Sequence, residues 1–73
     1  MKDINDYLEE NYKGVDPLSI TTLYCSHNNL TSLNGIERLT NLKDLDCDNN
    51  QLTSLNSIEK LTNLKVLYCD NNK

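Results

Sequence analysis

The chain has 73 residues, with 11 acidic and 7 basic side chains and a formal net charge of -4. That length allows one small unit that buries a modest share of its surface, and no apolar run approaches the roughly 20 residues that span a bilayer. The acidic balance argues against a nucleic-acid backbone, which needs clustered Lys and Arg, and against an anionic membrane surface.

The first residues, Met1 to Asp6, carry no apolar h-region and no small-residue cleavage site. No signal peptide is read there, and a cytoplasmic location is expected. Ile4, Tyr7, Leu8 and Tyr12 recur at helical spacing with polar residues between them, which predicts a short amphipathic helix over about residues 4–13. Asp3 is its expected N-cap and Gly14 its C′ residue. Asp16-Pro17 then restricts the backbone to extended or turn geometry. Residues 1–19 are read as a helical cap and connector, because the first coil of a stacked array exposes an apolar end that something must cover. Tyr7 and Tyr12 are the anchors if the helix docks a partner instead.

From residue 20 onward the chain repeats itself. Leu23, Leu45 and Leu67 lie 22 apart, as do Cys25, Cys47 and Cys69, and Asn28, Asn50 and Asn72. Between residues 23–44 and 45–66, 15 of 22 positions are identical. A fixed period of this length is the signature of a solenoid. Residues 20–73 hold two full repeats and one truncated one.

Within each repeat, Leu45 and Cys47 are two apart and share one face of a strand, the core face. Asp44, Asp46 and Asp48 then point the other way. Leu52, Leu55, Ile58, Leu61 and Leu64 recur every three residues, the spacing of a 3₁₀ or irregular segment. Asn28, Asn50 and Asn72 sit just past the strands, where a carboxamide can satisfy backbone groups left by the turn. Asn34 and Asn56 are expected to serve the turn into the convex segment, with Gly35 supplying freedom in one copy and Ser57 in the other. The three cysteines would be about 4.8 Å apart on adjacent strands, with parallel Cβ vectors that disfavour a bridge. They are read as small core hydrophobes with free thiols, as a reducing compartment allows.

The pattern Leu42-x-x-Leu45-x-Cys47-x-x-Asn50-x-Leu52, seen again from Ile20 and from Leu64, resembles the leucine-rich repeat family. The 22-residue length and the Leu-Thr-Ser-Leu-Asn-x-Ile-Glu-x-Leu-Thr-Asn-Leu segment are most similar to bacterial internalin-type repeats, some with a cysteine column. The resemblance implies an α/β fold: a short solenoid with parallel strands on a concave, protein-binding face. A surface-displayed parent, which the resemblance also suggests, is at odds with the absent signal peptide.

The positions that vary between copies form the candidate binding surface: Thr22, Asp44 and Val66; Tyr24, Asp46 and Tyr68; Ser26, Asp48 and Asp70; His27, Asn49 and Asn71. Tyrosine gives large contact area at low entropic cost, and acidic columns steer a basic partner. The protein-binding residues are therefore expected to be Tyr24, Ser26, Asp44, Asp46, Asp48, Tyr68 and Asp70. The alternative is a structural or vestigial repeat piece with no ligand of its own.

Asp44-x-Asp46-x-Asp48 invites a calcium reading, but a strand spreads alternate carboxylates along a line instead of curling them round an ion. No metal or cofactor is expected. The sequon Asn29-Leu30-Thr31 is read as chance without a secretory signal. No nucleophile–base pair or phosphate-cradling glycine loop is present, and His27 lacks a positioned acid, so no enzyme is expected. The third coil stops at Lys73 after its strand. Three explanations are open: a fragment of a longer repeat protein, a small product of repeat loss, or a homodimer through the open C-terminal end.

Overall fold

The structure, a computed structural model, describes residues 2–73. Helix α1 spans Ile4–Asn11. Three parallel strands follow, β1 (Thr22–Tyr24), β2 (Asp44–Asp46) and β3 (Val66–Tyr68), in that spatial order. Short 3₁₀ turns at Pro17–Ser19, Ile36–Arg38 and Asn56–Lys60 lead into the strands.

The sheet register is the sequence period made visible. Leu23 pairs with Leu45 and Leu45 with Leu67, so a step of one strand is a step of 22 residues. The ladder runs past the strands: the Cys25 N–H donates to the Asp46 carbonyl at 2.8 Å and the His27 N–H to the Asp48 carbonyl at 3.1 Å. Leu23, Cys25, Leu45 and Cys47 are fully buried on the core side. The 3₁₀ segments complete the core, Ile36, Leu39 and Leu42 closing the first coil and Leu52 and Leu61 the second. Leu52 and Leu61 are buried. Leu55, by contrast, is 39% exposed.

Helix α1 starts where expected. Asp3 accepts the Asp6 N–H at 3.0 Å, and Asp6 accepts the Asp3 N–H at 3.1 Å, a reciprocal capping box. It ends two residues earlier than the spacing predicts. Tyr12 leaves helical geometry at φ -131°, and its side chain is half-buried against the core. Gly14, at φ +80°, then turns the chain, with the Val15 N–H bonded to the Tyr12 carbonyl at 3.0 Å. Ile4, Tyr7 and Leu8 are buried against the first coil. The Tyr7 hydroxyl donates to the Tyr24 carbonyl at 2.9 Å, and the Thr31 N–H donates to the Lys2 carbonyl at 2.7 Å.

The two convex segments differ. Gly35 adopts φ +101°, and a Cβ there would collide with the Asn5 side chain of α1. Ser57 needs no such freedom, because it lies inside the longer 3₁₀ turn Asn56–Lys60. The expectation that Ser57 plays the part of Gly35 is corrected accordingly. No helix among the described residues is long and apolar enough to cross a membrane.

Candidate protein-binding face

The asparagine column builds the edge of the face. The Asn50 carboxamide oxygen accepts the Asn28 and Leu30 N–H groups at 2.9 and 3.0 Å. Its nitrogen donates to the Cys25, Cys47 and Asp48 carbonyls at 3.1, 2.9 and 3.2 Å. Asn72 repeats the arrangement one coil on, reaching Cys47, Cys69 and Asp70 carbonyls and the Leu52 N–H. The turns these side chains hold carry left-handed residues at equivalent positions: His27, Asn49 and Asn71 each have φ 58°. Asparagine and histidine are among the non-glycine residues that enter this region most readily.

The thiols lie behind the face and point inward. Cys25 and Cys47 are free and buried, and Cys69 is half-buried. Burial first, then the Cys47 and Asp46 charges, pushes the Cys25 thiol up to about 12. Burial, then Cys69, Asp48 and Asp46, pushes Cys47 to about 12 as well. The Cys47 thiol lies 3.3 Å from the Tyr68 carbonyl, to which it donates. Burial also raises the Tyr7 hydroxyl, with Tyr12 and Cys25 adding to it.

In front of this scaffold the alternate residues stand outward. Tyr24 and Tyr68 are 66% and 54% exposed. Asp70 is exposed, and Ser26, Asp44, Asp46 and Asp48 are half-exposed. All seven expected residues therefore share one surface, ordered in three columns by the strand register. Two aspartates also have structural work. Asp46 accepts the Asp48 N–H at 3.1 Å, and Asp48 accepts the Asp70 N–H from the next coil at 2.6 Å. Sequence reasoning missed these bonds, because spacing shows which way a carboxylate points and not which amide turns toward it. His27 lies in the turn beside Asn49, their side-chain nitrogens 3.2 Å apart.

Among the described residues the four aspartates have no ion-pair partner; the ion pair found is Lys2–Glu10 at 3.2 Å, far along the chain. No group of three or more His, Cys, Asp or Glu among them is placed to hold a metal ion. Of the larger clefts, one lies off the face and the other borders it at Asp70. One of about 350 Å³ runs between α1 and the first coil beside Tyr12 and Arg38. Another of about 550 Å³ lies beside Leu52 and Cys69 at the far end.

A second asparagine column also went unread in the sequence. The Asn41 amide donates to the Leu18 carbonyl at 2.8 Å and the Asn63 amide to the Thr40 carbonyl at 3.0 Å, tying the opposite corner of each coil to its predecessor. The signal was available, since Asn41 and Asn63 are 22 residues apart.

Comparison with known proteins places this geometry. A family model described as leucine-rich repeats in two copies matches residues 19–60 and again 40–73. The fold is similar to the crystal structure of an internalin (InlF) from Listeria monocytogenes, with a TM-score of 0.76 and 38% identity. That match covers 78% of this chain and 17% of the internalin chain, so the chain spans a small part of that protein's length. No curated protein matches the sequence. Leucine-rich repeats generally mediate protein–protein interaction on a scaffold that is typically non-catalytic. With a leucine-rich-repeat model matched over residues 19–60 and 40–73, and a solved internalin 38% identical over 78% of this chain's length, the chain belongs to the leucine-rich repeat family.

Proposed function

We propose that the chain is a non-catalytic protein–protein interaction module, and that its partner docks on the concave sheet face through Tyr24, Ser26, Asp44, Asp46, Asp48, Tyr68 and Asp70. The observation that carries this reading is the state of the face: four aspartates with no ion-pair partner among the described residues, beside two tyrosines more than half exposed. Unpaired carboxylates in columns favour a basic partner, accelerate its encounter and make the association sensitive to salt. The partner is a protein segment with exposed Lys or Arg.

Charge neutralisation tests it. In Asp46→Asn combined with Asp48→Asn, which keep acceptor oxygens for the Asp48 and Asp70 N–H groups, binding of a basic, unstructured peptide should fall at least about tenfold, as expected when close charge pairs across an interface are lost. Circular dichroism should show the fold retained. Equal binding by the variant would remove the face from the interaction and favour the vestigial reading.

A second surface supports association of two copies. Leu55, Val66 and Leu67 are exposed, and among the described residues the outer edge of β3 has no strand beside it. An uncovered edge next to exposed apolar side chains favours pairing. Light scattering over a concentration series should show a dimer that dissociates on dilution; a monomer at every concentration would exclude it. Free thiols at Cys25, Cys47 and Cys69 fit work in a reducing compartment, the cytoplasm.

A further inference from the structure

Across the middle of the face, the register sets Tyr24, Asp46 and Tyr68 side by side on three neighbouring strands. Adjacent strands stand about 4.8 Å apart. A cation resting on the Asp46 carboxylate is therefore about 4.8 Å from each tyrosine column, inside the roughly 6 Å over which an aromatic face attracts a positive charge. Among the described residues the two rings are not paired with each other, and the Asp46 strand lies between them. Nor are they used elsewhere: among the described residues the paired aromatic rings are Tyr7 and Tyr12, with centroids 6.2 Å apart.

The base of the row is held firmly. The Tyr24 carbonyl accepts the Tyr7 hydroxyl at 2.9 Å. The Asp46 carbonyl accepts the Cys25 N–H at 2.8 Å, and the Tyr68 carbonyl accepts the Cys47 N–H at 2.8 Å. Asp46 spends one carboxylate oxygen on the Asp48 N–H. Its other oxygen has no partner among the hydrogen bonds of the described residues.

We propose that Tyr24, Asp46 and Tyr68 form a clamp for an arginine side chain of the bound partner. The proposal rests on the reading of this face as a basic-partner site and adds the identity of the residue that enters it. Guanidinium is planar and weakly hydrated. It can set its N–H edge on a carboxylate while offering its faces to aromatic rings on either side. The lysine ammonium is a compact, strongly hydrated charge that gains the Coulomb attraction without the stacking. Charge along the columns explains attraction to any basic segment; the aromatic bracket around one carboxylate explains a choice between the two basic residues.

The test compares two synthetic peptides of equal length and charge, alternating serine with either arginine or lysine, titrated into the isotopically labelled full chain. The arginine peptide should bind about fivefold or more tightly than the lysine peptide, the gain expected from two aromatic faces. Tyr24→Leu and Tyr68→Leu keep apolar bulk on exposed positions and remove the π face, so each should bring the two affinities together while both peptides still bind. Asp46→Asn retains an acceptor oxygen for the Asp48 N–H and should weaken both peptides. Circular dichroism of each variant checks the fold. Equal affinity of the two peptides for the unmodified chain would overturn the clamp and leave the basic-partner reading standing. An arginine preference that survives both leucine substitutions would also overturn it. Binding of neither peptide would overturn the clamp and the basic-partner reading together.

Discussion

Asn50 serves five backbone groups with one side chain: two N–H groups on its oxygen and three carbonyls on its nitrogen. Among the described residues it is also the buried polar residue of the core. Each buried group left without a partner costs about 1–3 kcal/mol, and a chain of this size has only several kcal/mol of net stability. Asn50→Leu should therefore abolish cooperative thermal unfolding, read by circular dichroism; a variant that still melts cooperatively near the parent temperature would mean water replaces the carboxamide. The buried thiols set a second residue-scale expectation. Cys25 and Cys47 are held near 12, whereas an unfolded cysteine ionises near 8.5. A raised thiol stabilises the fold fully below the unfolded value and loses that contribution as pH rises toward the folded one. Stability should be flat in this respect up to about pH 8 and then fall by about 1.4 kcal/mol per pH unit for each buried thiol. The midpoint of urea unfolding, measured at neutral pH and near pH 10, should drop; a constant midpoint would show that the thiols ionise freely in the folded chain.

At the scale of elements, helix α1 and the first convex segment are fitted to one another through a backbone position. Gly35 sits at φ +101° with the Asn5 side chain over it, and the Arg38 guanidinium donates to the Asn5 carboxamide oxygen at 2.6 Å. Gly35→Ala combines a disfavoured conformation with a collision against the helix. It should cost about 1–3 kcal/mol, and hydrogen exchange should show the loss concentrated in α1. Protection lost evenly along the chain would mean that the helix does not open separately. The equivalent Ser57→Ala should be nearly silent, since Ser57 has ordinary backbone geometry inside its 3₁₀ turn. Element boundaries were partly legible in the sequence. Asp3 as the N-cap followed from side-chain chemistry, and the three-residue leucine spacing foretold the 3₁₀ segments. The early end of α1 was not legible, because Tyr12 belongs to the helical pattern and yet is carried out of it by packing against the core. The same limit applies to Asp48: alternation puts its carboxylate on the outer face, but its bond to the Asp70 N–H depends on a neighbouring coil 22 residues away.

For the whole molecule, the period carries most of the information. A 22-residue repeat with fixed leucines requires parallel strands in register, and that register places Tyr24 beside Asp46 and Asp46 beside Tyr68. The columns of the face could thus be read before the structure was known. The degree to which the tyrosines stand free, and the lack of ion pairs to the aspartates among the described residues, needed coordinates, because no periodicity says where Lys43 or Lys65 will point. Docking of a basic protein segment on this face is the proposed function. The most direct measurement is the map of amide chemical-shift changes when the arginine-containing peptide is added to the labelled chain at low and then high salt. Changes should cluster at residues 22–27, 44–49 and 66–71 and shrink as salt screens the aspartates. Changes confined to α1 or to the convex 3₁₀ segments, or indifferent to salt, would contradict it.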